Sequence, residues 1–116
     1  MRSSPQPHPG EVWSVMFNPV QGHEQGGSRP ALVISNDPFN RTPHTLCILV
    51  PLTKTNRRIP SHIPVHPPEG GLSDTSFILC EQVKSLSVSR LHRRMGVVEP
   101  GTLEMVRAMV QRFIEW

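Results

Sequence analysis

GHEQGGSRPALVISND, residues 22–37, sets a polar, glycine-rich loop directly against an apolar strand, with one arginine at the junction. Gly22, Gly26 and Gly27 allow backbone conformations closed to other residues and permit close approach to a ligand, while His23, Glu24 and Gln25 bring charge and hydrogen-bonding groups. Arg29 precedes Pro30, and a proline holds the residue before it extended, so the arginine projects from a stiff strand entry. The run from Pro30 to Ser35 is too apolar for simple alternation, which marks a central strand of a small β-structure with a fixed cation at its rim.

Outward from that strand, Val12 to Phe17 read as a first strand and Thr45 to Pro51 as a third, again central by its apolarity. NDPFNRTPH between the second and third strands has the composition of a turn, with room for one helical turn from Pro38. Ser61 to Val65 form a weaker strand, which Pro60 and Pro64 confine to an edge because proline donates nothing to a ladder. HPPEGGLSD follows as a loop, then Thr75 to Ser85 as a strand pair or one bent strand. Ser87 to Leu91 read as a helical turn capped by Ser87 or Ser89, and Met95 to Val98 as a short strand. From Pro100 to Trp116, Leu103, Val106, Met109, Val110, Phe113 and Ile114 recur at helical spacing, so this helix is expected to pack that whole stripe on the β-structure as core. Residues 1–9, with three prolines, are expected to be a flexible tail, and residues 10–116 a single domain without repeats.

A chain of 116 residues buries one modest core and gains from self-association, a homodimer being the simplest form. Thirteen prolines, eight glycines and no tyrosine favour short strands broken by turns over a helical bundle. Twelve Lys and Arg against nine Asp and Glu give a net charge of +3, compatible with a polyanionic partner, and the cations cluster as Lys54, Arg57, Arg58 and as Arg90, Arg93, Arg94. No run reaches the roughly 18 apolar residues of a membrane span, and MRSSPQPHPG lacks the apolar core of a signal peptide, so no membrane association and a cytoplasmic location are expected. Cys47 and Cys80 lie in apolar runs as buried, reduced thiols.

Six histidines and two cysteines raise the question of a metal, but their spacing is poor. His62 and His66 on one strand face stand roughly 13 Å apart, too far to share an ion, and read as rim histidines. His44 and Cys47 would point to opposite faces. Phosphate-cradling and dinucleotide-binding motifs are missing, so neither a metal nor an organic cofactor is expected. An arginine, a hydroxyl residue and loop amides remain, and they suffice for cleaving RNA, whose 2′-hydroxyl is its own nucleophile.

The quoted segment, together with GEVWSV, CILVPLTKT, FILCEQVKSLSVSRL and the terminal helix, resembles the toxin endoribonucleases of the MazF, PemK and Kid family over nearly the whole chain. The resemblance implies a mainly β fold, a small SH3-like barrel of the PemK and CcdB type with a C-terminal α-helix. It implies a sequence-specific, metal-independent endoribonuclease that cleaves single-stranded RNA to 2′,3′-cyclic phosphate and 5′-hydroxyl ends, and a cognate antitoxin that covers the groove. Arg29 and Thr53 fall on the family's catalytic positions, Thr53 on the threonine at the end of the third strand. Glu24 matches a carboxylate of the family loop, while His23 stands where serine is usual, and the assignment of general acid and base stays open. Glu81 and Gln82 match an acidic-Gln pair; with Asn18, His23, Gln25, Lys54, Arg57 and Arg58 they form the candidate RNA-binding set. The chain departs from the pattern at MFNP, where an acidic pair is usual after the first strand, and at Leu79, where the Kid branch has arginine. The alternative reading is a non-enzymatic toxin of the same fold that binds DNA gyrase.

Overall fold

The computed structural model describes residues 5–17 and 27–115. Its strands are β1 (Glu11–Met16), β2 (Ser28–Val33), β3 (Leu46–Thr53), β4 (His62–Val65), β5 (Ser76–Leu79), β6 (Lys84–Ser87) and β7 (Leu91–Val97). Two helices join them, the single turn α1 (Asp37–Asn40) and the long α2 (Pro100–Ile114). All pairings are antiparallel, in the order β4-β5-β3-β2-β1-β7, with β6 bound to the first half of β3 and β5 to its end. The sheet curls into a barrel-like form without closing, which agrees with the expected fold class.

β1, β2 and β3 are buried on both faces, and that is why the second and third lack alternation. Val12, Leu32, Val50 and Leu52 face one core with Ile63, Val65, Ile78 and Val106, while Trp13, Val15, Ala31, Val33, Cys47 and Leu49 face a second core with Val88 and Leu91. Burial raises both thiols to about 11, consistent with inert core cysteines. β4 and β7 are the edges, and Pro64 of β4 is exposed as its place there requires.

Several boundaries differ from the sequence reading. The segment from Thr75 to Ser85 resolves into β5 and β6, divided by a 3₁₀ turn at Cys80–Gln82. A second 3₁₀ turn at Val88–Arg90 is capped by Ser87, whose hydroxyl accepts from the Ser89 N–H, as expected. The strand after it begins at Leu91 and not at Met95; its exposed His92, Arg93 and Arg94 concealed the strand pattern. The apolar stripe of α2 is core only through Leu103, Val106, Met109 and Val110, because the helix runs past the barrel and leaves Phe113 46% and Ile114 80% exposed. Arg107 ties α2 down by donating twice to the Ile34 carbonyl.

The inner end of the tail is docked: Pro7 is buried and its carbonyl accepts from buried Asn40. Glu11 joins that tail to β1 and β7, accepting from the His8 N–H, the Trp13 indole of its own strand and Arg94 Nε of β7, each at 2.9 or 2.8 Å. Burial pushes its carboxyl up, but these donors outweigh burial and hold it below the ordinary value. The second basic cluster therefore serves partly in structure, Arg94 on Glu11 and Arg90 on the Met16 and Phe17 carbonyls.

The loop from His66 to Asp74 is seated by backbone against backbone. Gly71 has φ +72, and a Cβ there would run into the Met95 carbonyl of β7. Gly71→Ala is expected to cost about 1–3 kcal/mol from left-handed strain and overpacking together. Urea unfolding of wild type and variant measures it; an unchanged midpoint would mean that the loop does not rest on β7.

Candidate active site

β2 brings Arg29 to the open end of the barrel opposite Val15 of β1. On its other side β2 pairs with β3 as Ala31↔Pro51, Leu32↔Val50 and Val33↔Leu49. The same register carried two residues further sets Arg29 opposite Thr53. Pro30 has no N–H to extend the ladder, the bonded pairs end at Ala31↔Pro51, and a cleft lies at these strand ends.

That cleft, about 480 Å³, is lined by both Arg29 and Thr53. Pro30, Leu52, Leu72 and Met95 supply an apolar floor, and Ser28, Lys54, Thr55, Ser73, Asp74 and Ser76 supply polar groups. Arg29 is exposed, and among the described residues it has no carboxylate partner. The Thr53 hydroxyl oxygen accepts the Thr55 N–H at 3.2 Å, which orients the oxygen and leaves its own hydrogen to donate. A second cleft of about 370 Å³ lies on the other side of Arg29, lined by Phe17, Gly27, Pro51, Gln82, Lys84 and Leu86. Lys84 Nζ stands 5.0 Å from the centre of the Phe17 ring, a cation–π distance.

The structure thus brings together Arg29, Thr53 and Lys54 in one cleft, and Arg29 with Gln82 in the next. Arg57 and Arg58 are exposed on the segment after β3 and line neither cleft. Asn18, His23, Glu24 and Gln25 lie outside the described residues. Asp74, Ser73, Lys84 and Phe17 are lining residues that the sequence reading passed over. Asp74 and Ser73 end a run legible only as turn chemistry, and Lys84 is one exposed lysine in a short strand. Among the described residues no three His, Cys, Asp or Glu side chains gather where they could hold a metal ion.

Glu81 lines neither cleft. Its carboxylate lies 2.8 Å from His62 Nε2 and accepts from the Ser61 hydroxyl, tying β4 to the turn after β5. His62 is not a rim residue: although it shares a strand face with exposed Pro64, its side chain is only 2% exposed and is held by the carboxylate. Partial burial raises the Glu81 carboxyl, but the bonds from His62, its own backbone N–H and Ser61, with the charge of His62, outweigh it and hold it below the ordinary value. A depressed carboxyl adds stability above its unfolded value, 4.5, and loses it as pH falls through the lower folded value. Glu81→Gln is expected to lower stability modestly near pH 7, solvent screening of the half-exposed carboxylate keeping the loss small, with the difference closing as pH falls through the lowered folded value. Thermal unfolding across that range checks this, and a gap independent of pH would contradict it.

The comparisons with known proteins agree with this fold. Residues 8–114 match the family model described as PemK-like, MazF-like toxin of type II toxin-antitoxin system. The chain is 34% identical over 98 residues to a protein named endoribonuclease MazF from Staphylococcus saprophyticus, covering 84% of this chain and 82% of that one. Among solved structures, a MazE–MazF complex from Deinococcus radiodurans superposes with a TM-score of 0.80 at 29% identity, covering 94% of this chain and 96% of that one. An endoribonuclease in complex with its cognate antitoxin from a mycobacterial species gives 0.76 at 25% identity, covering 95% and 98%. The match to the family model over residues 8–114 and the 34% identity to an endoribonuclease MazF, on a barrel-like fold with Arg29 and Thr53 in one cleft, place this chain in the PemK-like, MazF-like toxins of type II toxin-antitoxin systems, a family of toxin endoribonucleases.

Proposed function

We propose that this toxin cuts single-stranded RNA at a short sequence without a metal ion, leaving a 2′,3′-cyclic phosphate and a 5′-hydroxyl. The observation that carries the reading is the placing of Arg29 and Thr53 on facing strand ends in one cleft. The 2′-oxygen attacks the adjacent phosphorus, an O2′–P bond forms, and the P–O5′ bond breaks as the leaving oxygen takes a proton. Negative charge grows on the non-bridging oxygens, where the guanidinium of Arg29 offers a permanent charge and two parallel donors. The Thr53 hydroxyl donates to the same phosphate. The proton of the 2′-hydroxyl goes to the loop before β2, whose Glu24 and His23 are the titratable candidates.

Clefts on both sides of Arg29 suit a strand that crosses it, with a nucleotide on either side of the scissile phosphate. Gln82 and Lys84 would contact one side, with Phe17 as a stacking face; Asn18, Gln25 and Glu81 are further base-reading candidates. Lys54, Arg57 and Arg58 would hold the RNA backbone. The toxin acts as a cytoplasmic homodimer and is silenced by an acidic, partly disordered antitoxin segment that covers this face.

Purified toxin is expected to cut a long single-stranded RNA in EDTA at one repeated motif, with cyclic-phosphate ends identified by mass spectrometry. Arg29→Ala should lower kcat about 10²–10³-fold, the loss typical of one transition-state donor. Fragments with 5′-phosphate ends, or cutting that EDTA abolishes, would overturn the mechanism. Unchanged toxicity of Arg29→Ala in cells, with gyrase bound, would favour the non-enzymatic reading.

A further inference from the structure

We infer that Asp74 is a specificity residue of the Arg29–Thr53 cleft, selecting a base that carries an exocyclic amino group and rejecting uracil. This rests on the RNA reading of the same site. The cleft has two chemically distinct parts. Arg29 and Thr53 stand at its strand ends as donors suited to phosphate, and Leu52, Leu72, Pro30 and Met95 line it with apolar surface. Among the described residues Asp74 is the one carboxylate in the lining. A carboxylate repels phosphate and offers acceptors only, so in an RNA cleft it receives a ribose hydroxyl or a base-edge N–H, and of these the exocyclic amino group is the donor that adenine and cytosine have where uracil has an oxygen.

Asp74 is held ready for that role. Leu72 is buried, its N–H donates to the Glu69 carbonyl, and Gly71 rests against β7, so the loop enters the cleft from a fixed wall. The Ser76 hydroxyl donates to the Asp74 carbonyl at 3.1 Å and fixes the backbone at the reading residue itself. Lys54 Nζ stands 3.4 Å from Asp74 Oδ2, and both side chains are well exposed at 75% and 59%. A pair so exposed is weak, and a base amino group can take the place of the ammonium on the carboxylate. Lys54 is then released toward the neighbouring phosphate. Uracil presents carbonyl oxygens where adenine and cytosine present an amino group, and an oxygen facing the carboxylate is repelled.

The test is cleavage of a single-stranded RNA pool with a randomised segment, by wild type, Asp74→Asn and Asp74→Ala, with the cut ends sequenced. Wild type is expected to disfavour uracil about tenfold or more at one position of its motif, the scale of one charge-assisted hydrogen bond. Asp74→Asn, whose amide both donates and accepts, should admit uracil at that position while the other positions keep their preferences. Asp74→Ala should lose the preference there and retain turnover well above that of Arg29→Ala. Far-UV circular dichroism and the melting temperature of each variant separate altered reading from altered folding. An unchanged profile in both variants, or a wild-type motif that disfavours uracil nowhere, overturns the inference and leaves the nuclease standing. RNA left whole by wild type overturns the nuclease reading, and this inference with it.

Discussion

The register of β2 on β3 is the constraint from which the site follows. Both strands are buried on both faces, so Ala31, Leu32 and Val33, and Leu49, Val50 and Leu52, each have an assigned place in one of two cores. A slip of one residue would exchange those faces and push Leu32 and Val50 into the space made for Ala31 and Leu49, which close-packed interiors do not tolerate. Arg29 and Thr53 lie two residues beyond the last bonded pair, so their facing positions are inherited from the core. Pro30 then serves two ends, lacking the N–H that would extend the ladder and keeping Arg29 extended.

Around that fixed pair, polar groups divide between holding the barrel and facing the clefts. Glu11, Arg90, Arg94 and Arg107 spend their hydrogen bonds on the tail, on strand ends and on α2. Glu81 binds His62. Arg29, Thr53, Lys54, Asp74 and Gln82 instead face the open spaces on either side of the strand ends. A net charge of +3 understates this division, because several cations are already committed to protein acceptors.

Sequence reading reached the central strands, the edge placement of the proline-containing β4 and the capped turn at Ser87, and it named Arg29 and Thr53, which the fold sets in one cleft. Each rests on local chemistry: apolarity, a missing N–H, a short hydroxyl side chain, or motif resemblance. What it missed depends on packing at a distance. Nothing near Phe113 and Ile114 tells that the barrel ends a turn before the helix does. The extent of β7 was hidden because β1 pairs with a strand whose outward residues are basic. His62 looked like a rim histidine since its partner, Glu81, is brought to it by β4–β5 pairing. Asp74 read as a turn residue, which it is, and its approach to the cleft comes from Gly71 pressing on β7.

The most direct measurement of the central claim is a double-mutant cycle on kcat for one defined RNA, using wild type, Arg29→Ala, Thr53→Val and the double variant. If the two side chains stabilise the same developing charge across one cleft, the double variant loses far less than the product of the two single losses. Losses that multiply would show that Arg29 and Thr53 act independently, and would contradict the assignment of both to a single phosphate.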